Sequence, residues 1–443
     1  MHKTGKNVKI IVMVNLSPQP YKGTRDYYPE DKRIQNYIFY VWRKVSESFG
    51  YEEYSAPILE PLDIYTAKSG QELANEQTYS FVDRGGRTVA IRPEMTPTIS
   101  RMVAARRQEL AYPARLYSIA NFMRYERPQR GREREFWQLN VDIFGSDGAI
   151  AEAEIITMAD KIMKEFGAKT SDYIIKINNR KLINFMMAQY LNLDAAQAQA
   201  MIKLLDRKNK IDERDFILQA SEIFGDDSDV GLEKVKLLIK ANSMADLPKE
   251  ITESSSVQEI RELFTLLERF DVDNITFDIT LMRGLDYYTG TVFEVYDTNP
   301  ENARALFGGG RYDGLVNLFG ADPISAVGMA PGGTTTEDFL VTHNLLPKLD
   351  STTDLYVATQ GDVFKEASRL VSDLRYNGLN VEQDFSKRKL DRQIKTAAKK
   401  SIPYVIFIGE EEVASGIYPI KDISSGEEKK LNINEIVDLL KSS

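Results

Sequence analysis

The sequence predicts an α+β protein of more than one domain, and three observations carry that prediction. At 443 residues the chain exceeds what one hydrophobic core usually organises, so two or three domains are expected. Apolar periodicity switches repeatedly between helical and strand spacing, and two long alternating strands are joined by a short loop. The stretch 354–443 alternates strand and helix by itself, which predicts a small, independent α/β domain.

Taken in order, about the first 18 residues read as a tail. Ile34, Tyr37, Ile38, Val41, Val45 and Phe49 recur at helical spacing and Gly50 stops that helix. An extended segment with Pro57 follows over 53–58. A strand over 88–91 ends at Arg92-Pro93, and Thr96-Pro97 has the form of an N-cap with proline at the first helical position. Residues 116–126 and 135–144 read as strands joined by an arginine-rich loop. Ala151, Ile155, Met158, Ala159, Ile162 and Phe166 mark a helix closed by Gly167. From about 180 to 270 the chain turns helical and charged, as an insertion would. Strands return over 275–281 and 291–295, then a glycine-rich turn, Phe307-Gly308-Gly309-Gly310-Arg311-Tyr312-Asp313-Gly314. Residues 344–353 read as a linker. In the last domain, strands are expected over 355–358, 380–383 and 405–408, and helices over 363–376 and 390–400.

Composition narrows the chemistry. Apolar residues make 42% and charged residues 28% of the chain, as in a packed protein rather than a disordered one. The chain has no cysteine, which excludes disulfides, thiolate metal sites and cysteine nucleophiles. His2 and His343 are its only histidines, so a histidine-ligated metal or a histidine-based triad is not expected. No apolar run approaches the roughly 18 residues of a membrane span. Ile10-Ile11-Val12-Met13-Val14 is too short for a signal peptide, so a cytoplasmic location is expected. A net charge of −9 opposes a general nucleic-acid coat but not local basic clusters. Two such clusters exist: Arg124, Arg127, Arg130, Arg132 and Arg134, and the run from Lys387 to Lys400.

Strand alternation assigns faces. Gln138, Asn140 and Asp142 share one face, Trp137, Leu139, Val141 and Ile143 the other. On the preceding strand Arg124 and Glu126 lie together. If the two strands pair, one sheet surface carries Arg124, Glu126, Gln138 and Asp142, a costly arrangement unless something binds there. Residues 275–281 repeat the design, with Thr276, Asp278 and Thr280 on one face. Arg283, beside Gly284, can bring a permanently charged fork to a phosphate or carboxylate.

In this order, five segments together resemble histidyl-tRNA synthetases, class II aminoacyl-tRNA synthetases. They are Tyr21-Lys22-Gly23-Thr24-Arg25-Asp26, Arg92-Pro93-Glu94-Met95-Thr96, Phe122-Met123-Arg124-Tyr125-Glu126-Arg127-Pro128, Arg283-Gly284-Leu285-Asp286-Tyr287-Tyr288 and Phe307-Gly308-Gly309-Gly310-Arg311-Tyr312-Asp313. The resemblance implies a catalytic domain over 19–343 with an antiparallel six-stranded sheet flanked by helices and a helical insertion. It also implies an anticodon-binding domain over 354–443 and a homodimer, with Pro57 in the dimer-forming motif. The implied reaction charges tRNA(His) with histidine through a histidyl-adenylate, with ATP as substrate and Mg²⁺ accompanying it.

By that resemblance Arg124 and Arg283 are the catalytic cations, gripping the α-phosphate and the substrate carboxylate. Glu126 and Arg311 join them around ATP. Glu94, Met95, Thr96 and Gln138 bound the histidine site, the polar groups meeting its amino group. Asp142, Tyr287 and Tyr288 lie around the imidazole, which offers one donor and one acceptor. Arg127, Gln129, Arg130 and Arg132 meet the acceptor end of the tRNA, and Arg388 and Lys389 face tRNA from the last domain. Two positions depart from the family. Asp142 stands where glutamate is usual. In Gly328-Met329-Ala330-Pro331-Gly332-Gly333-Thr334-Thr335-Thr336, Thr335 holds the place of an arginine that clamps the γ-phosphate. Either another cation, Arg311 or Mg²⁺, takes that load, or ATP use is impaired by about 2–3 kcal/mol of lost contact. Two other readings stand beside the enzyme: a non-catalytic histidine sensor like the ATP phosphoribosyltransferase regulatory subunit, and a class II synthetase for another amino acid.

Overall fold

A computed structural model describes residues 16–67, 76–208, 211–225, 228–241, 243–282, 287–386 and 388–442. The chain divides into two units, Met1–Leu346 and Pro347–Ser443.

In the first unit the strands in chain order are β1 (Glu52–Glu53), β2 (Leu59–Pro61), β3 (Ser80–Val82), β4 (Thr88–Ile91), β5 (Ala114–Met123), β6 (Glu135–Phe144), β7 (Tyr173–Asn179), β8 (Ile275–Phe277), β9 (Thr291–Asp297), β10 (Ala305–Arg311) and β11 (Ala326–Met329). Eight of them form one sheet in the order β1-β5-β6-β11-β10-β9-β7-β8, while β2, β4 and β3 form a small separate sheet. Leu139, Val141 and Ile143 of β6 pack into one core with Trp42 and Val45 of the helix Pro29–Ser48 and with Ile155, Met158 and Ile162 of the helix Ala149–Glu165.

The sheet is mixed, not antiparallel throughout as expected. From β5 to β7 every neighbour is antiparallel, but β1 runs parallel to β5 and β8 parallel to β7. Parallel neighbours need long crossovers. The small sheet and the helix Thr96–Ala105 lie between β1 and β5, and the helical insertion lies between β7 and β8.

That insertion has its own core, including Met186, Leu204, Phe216, Leu238 and Ile260. Asp194 and Asp212 start its helices by accepting backbone N–H groups at 2.8–2.9 Å. The helix Ser255–Arg269 ties the layers together, with Val257 and Ile260 in the insertion core and Leu263 and Leu267 in the main one.

Two expected elements differ. β8 stops at Phe277, because the Asp278 carboxylate turns onto its own loop: Oδ1 accepts Thr280 N–H at 2.8 Å, and Oδ2 pairs with Lys176 at 2.7 Å. The Thr276/Asp278/Thr280 face therefore ends in a local ion pair rather than extending the polar surface of β6. The glycine cluster is not a turn but the inner strand β10. A Cβ at Gly309 would lie 2.2 Å from the Gly328 carbonyl oxygen, and one at Gly308 2.6 Å from that of Phe293. Only hydrogen fits there.

The second unit holds β12 (Leu355–Thr359), β13 (Val381–Gln383), β14 (Tyr404–Ile408), β15 (Tyr418–Asp422) and β16 (Glu428–Leu431), in the order β13-β12-β14-β15-β16. The first three strands in that order are parallel, and the remaining two pairings are antiparallel. The helices Phe364–Tyr376 and Leu390–Lys399 supply the crossovers. The β15–β16 hairpin and the closing helix Ile433–Lys441, capped by Asn432, lie beyond the elements expected.

Arg311, at the end of β10, is 8% exposed and Glu152 is 5% exposed. Its Nε and Nη2 donate to the two Glu152 oxygens at 2.7 and 2.6 Å, Nη2 also to Gly148 O at 2.9 Å, and Nη1 to Asp313 at 3.1 Å. This brace ties β10 to the start of the helix Ala149–Glu165. Arg311→Ala is expected to cost about 3–5 kcal/mol of unfolding free energy by leaving Glu152 buried and unpaired. Glu152→Leu added to Arg311→Met should recover most of it. Urea denaturation checks both, and a neutral Arg311→Ala would refute the brace.

Candidate active site

On the face of the sheet away from the main helices lies a cavity of about 350 Å³, lined by Gln138, Asn140 and Asp142 of β6, by Gly308 and Gly309 of β10, and by Gly328 and Met329 of β11. The flat glycine strand forms part of its floor. Glu94, Thr96, Arg124, Glu126, Arg132, Tyr287 and Tyr288 close its walls. Residues from distant parts of the chain thus meet on the surface that strand alternation marked.

Asp142 is 3% exposed. Its Oδ1 accepts the Tyr312 hydroxyl, while Oδ2 is buried with no hydrogen-bond partner. Burial pushes its carboxyl from 3.8 up to about 7, against the hydrogen bond from Tyr312, which lowers it. Gly328, opposite Asp142 in the β6–β11 register, makes this shorter acid possible: a Cβ there would sit 2.2 Å from Oδ1. Nearby, the Tyr287 hydroxyl donates to Glu94 Oε2 at 2.8 Å. The rings of Tyr288 and Tyr312 lie 5.1 and 5.9 Å from that of Tyr287. Burial, first among the causes, pushes all three phenols above their ordinary range, so they remain neutral donors.

Arg124 continues past β5. Its N–H donates to Arg134 O at 2.8 Å, its Nε to Pro93 O at 2.9 Å, and its guanidinium lies 5.3 Å over the Phe136 ring. It makes no ion pair with a described residue, so its charge faces the cavity uncommitted. Gln138 Nε2 donates to Ala330 O at 3.0 Å, joining β6 to the segment after β11. Thr96 opens the helix Thr96–Ala105, whose N-cap position is Met95 and which has no side-chain cap, so Thr96 is a wall residue rather than the expected cap.

Other expected residues lie elsewhere. Met95 is fully buried and packs with Ala120 and Phe122 behind the wall. Arg311 does not line the cavity, and its donors serve the Glu152 brace. Arg283 lies outside the described residues, as does Lys387. Gln129 and Arg132 pair through their backbones at 3.1 and 2.8 Å, forming a hairpin tip with Gly131 at φ +71°. Arg130 leans away, its Nε on Asn302 Oδ1 and its Nη2 on Thr342 Oγ1, both at 3.0 Å. Arg132 pairs with Glu126 at 2.9 Å. Arg127 lines a separate shallow hollow with Lys22, Gly23 and Pro128. The Tyr21–Asp26 motif clamps this loop from outside, with Arg134 between Tyr21 and Tyr125 and its N–H on Gly23 O at 2.6 Å. In the second unit Arg388 is held by Ser386 Oγ at 2.6 Å and Asp384 Oδ2 at 3.3 Å, and Lys389 stands at the N-cap position of the helix Leu390–Lys399 without a side-chain cap.

Sequence reasoning gave no role to Asn140, Phe136, Glu294 or Tyr312, which also line the cavity. Alternation placed Asn140 on the polar face without giving it a role; nothing local marks Tyr312 as the partner of Asp142. Thr335, at the arginine position, donates its hydroxyl to Leu306 O at 2.6 Å and lines the cavity without a charge. Thr334 donates to Glu133 Oε2 at 3.1 Å, and Arg25 pairs with Glu337 at 2.5 Å.

Residues 23–332 match the family model described as histidyl-tRNA synthetase, and residues 354–443 match that of the anticodon binding domain. The histidine–tRNA ligase of Leptospira biflexa serovar Patoc is 39% identical over 430 residues, covering 96% of this chain and 98% of that protein. That of Haloarcula marismortui is 35% identical over 413 residues, covering 92% and 94%. Among solved structures, the histidyl-tRNA synthetase of Nostoc sp. PCC 7120 superposes with a TM-score of 0.81 at 25% identity, covering 96% of this chain and 99% of that one. An ATP phosphoribosyltransferase regulatory subunit/histidyl-tRNA synthetase from Bacillus halodurans shares the fold, with a TM-score of 0.71 at 24% identity over 88% of this chain and 97% of that one. With over half its length in one family model and close relatives along nearly all of it, this chain belongs to the histidyl-tRNA synthetase family.

Proposed function

We propose that the chain is a histidine–tRNA ligase whose reaction takes place in the β6 cavity. The observation that carries this reading is the convergence of an unpaired cation, Arg124, and a buried acid with an open oxygen, Asp142, on one wall-and-floor surface. An amino acid needs both ends recognised. The carboxylate end takes Arg124; the amino group takes Glu94 and Gln138. The imidazole N–H donates to the open Asp142 oxygen, and its other nitrogen accepts from a tyrosine hydroxyl, Tyr288. A side chain lacking either group would leave buried partners unpaired, which is how such a pocket rejects it.

The histidine carboxylate oxygen attacks the α-phosphorus of ATP, and pyrophosphate leaves. A ribose hydroxyl at the tRNA 3′ end then attacks the acyl carbon, and AMP leaves as the ester forms. Negative charge gathers at phosphorus in the first step and at the acyl oxygen in the second, so a fixed cation serves both. Arg124 is held for this by Pro93 and Phe136, and Arg283 is assigned beside it by the family pattern. Glu126 orients ATP, and Mg²⁺ arrives as part of the ATP substrate. Arg127, Gln129, Arg130 and Arg132 would meet the acceptor end of the tRNA, while Arg388 and Lys389 would meet it from the second unit. A second copy of the chain would cover Ile58, Leu59, Phe81 and Val82, exposed apolar side chains around the small sheet. Among the described residues no helix is long and apolar enough to cross a membrane; we place the enzyme in the cytoplasm.

The histidine-sensor reading draws on Thr335, which replaces a charged phosphate clamp with a neutral hydroxyl. Histidine-dependent ATP–pyrophosphate exchange separates the two: the ligase exchanges, whereas a sensor binds histidine without exchange. Arg124→Ala should lower the exchange rate by about 10²–10³-fold with an unchanged circular dichroism spectrum.

Asp142 adds a pH test. Its folded value, about 7, lies above its ordinary 3.8, so the associated stability is complete below about pH 4 and lost as pH rises through 7. Asp142→Asn should therefore exceed the parent in unfolding free energy by about 2–4 kcal/mol at pH 8, and the two should converge near pH 4. The same variant should lose most histidine-dependent exchange. Equal urea midpoints at pH 8 would show that no ionised carboxylate is being held in that floor.

A further inference from the structure

A buried cation follows β4, and it does not line the cavity. Arg92 is 6% exposed and makes no ion pair with a described residue. Every acceptor of its fork is neutral. Its Nε donates to Asn121 O at 3.0 Å, its Nη2 to Asn121 Oδ1 at 3.4 Å, and its Nη1 to Ala56 O at 2.8 Å and Pro57 O at 3.5 Å. The guanidinium also lies 5.2 Å over the Phe122 ring. Burying a charge without a counter-ion costs free energy, so its place here points to contacts that a smaller or neutral side chain does not make.

The fork joins two parts of the first unit that share no strand pairing. The small sheet of β2, β4 and β3 is separate from the main one, and Arg92 stands where the chain leaves β4 for the cavity wall. Through Ala56 and Pro57 it holds the extended segment before β2, and through Asn121 it holds β5. The backbone repeats the join, with Arg92 N–H on Ile58 O at 2.9 Å and Met123 N–H on Arg92 O at 3.2 Å. The residues that follow are the wall itself. Pro93 O takes Arg124 Nε at 2.9 Å, and Glu94 takes the Tyr287 hydroxyl at 2.8 Å. Thr96 lines the cavity and opens the next helix. Where the Pro93 carbonyl points is thus set by where its neighbour Arg92 is pinned.

We infer that Arg92 is a positioning residue for the step at the α-phosphorus: by bolting the small sheet to β5 it aims the Pro93 carbonyl, and through that carbonyl it aims Arg124. Arginine suits the task because a planar fork reaches β5 with Nε and Nη2 and the 56–57 segment with Nη1 at the same time. Lysine would keep the charge, but its single nitrogen does not span both sides. The inference rests on the ligase reading for the identity of the reaction, and it gives a role to a residue that touches neither substrate. That role lies in geometry rather than in the field of the charge, and the two can be told apart.

The test is a double-mutant cycle of Arg92→Lys and Arg124→Ala, read by histidine-dependent pyrophosphate exchange on the full chain. Arg92→Lys alone should lower kcat by about 10–10²-fold, the effect of a misaimed group, with an unchanged circular dichroism spectrum. In the Arg124→Ala background the same change should lower kcat by no more than about twofold, because the group it aims is gone. Losses that multiply in full overturn the inference, since a general loosening of the cavity would add to the loss of Arg124. So does a parental kcat in Arg92→Lys, which would show that the charge alone suffices. Arg92→Gln, neutral and able to keep one contact, should be as slow as Arg92→Lys, and a much slower glutamine variant would also point to the charge. If neither variant folds, as thermal melts will show, the role is structural and the inference fails. It fails too if Arg92→Lys turns a dimer into monomers in sedimentation, since the loss would then arise at the exposed face around Ile58. Should the parent show no exchange at all, the ligase reading fails separately. A crystal structure of Arg92→Lys then decides: a Pro93 carbonyl turned off Arg124 Nε supports the inference, and the bond kept at 2.9 Å refutes it.

Discussion

The site depends on one constraint, the burial of the Asp142 carboxyl on an inner strand of the sheet. A charge at that depth is costly unless it is paired. One oxygen is answered by Tyr312, and the other is buried without a hydrogen-bond partner. Everything around it serves that arrangement. Gly328 removes the side chain that would occupy the space of Oδ1. Gly308 and Gly309 let β10 pack closely on the far side of β11, and the three tyrosines near the acid keep their hydroxyls neutral. A buried acceptor without a partner favours a ligand that brings a donor to it, and one that brings none leaves it unpaired.

Much of this was legible in the sequence because strand alternation is a rule of geometry. With a period of two, polar Gln138, Asn140 and Asp142 cannot share a face with Leu139, Val141 and Ile143, so core and site surfaces follow from one stretch of chain. The same rule misled at 275–281. A carboxylate at position 278 can fold back on its own backbone and end the strand, and side-chain-to-backbone competition of that kind leaves no trace in periodicity. Glycines 308–310 were read as a turn because glycine permits turns. In the structure it permits close packing of inner strands instead, and the two uses look alike in sequence. The parallel edges were hidden for another reason: strand direction is fixed by how long a connection is and where it returns.

Arg311 shows why residue type alone does not assign a role. An arginine after three glycines has the chemistry of a phosphate ligand. Here the end of β10 faces the first turn of the helix Ala149–Glu165, where Glu152 takes the fork with both oxygens and Gly148 and Asp313 take the remaining donors. A guanidinium so occupied has nothing left to offer a ligand. Arg124 differs in that only its Nε is tied, to a neutral carbonyl, so orientation is gained without neutralising the charge. The distinction between a bracing and a working arginine lies in whether its partners carry charge.

Charge balance around the cavity then bears on the third motif. Glu94, Glu126, Glu133, Asp142 and Glu294 line it, while Arg124 and Arg132 are its described cations, and Arg132 is already paired to Glu126. Burial holds the Glu133 carboxyl above its ordinary range, and Thr334 donates a hydrogen bond to it. With Thr335 also neutral, this wall repels a triphosphate less than five ionised acids would, yet it attracts one less than an arginine would. Among the described residues, the one lining cation left without an ion pair is therefore Arg124, and the surface around it is predominantly acidic.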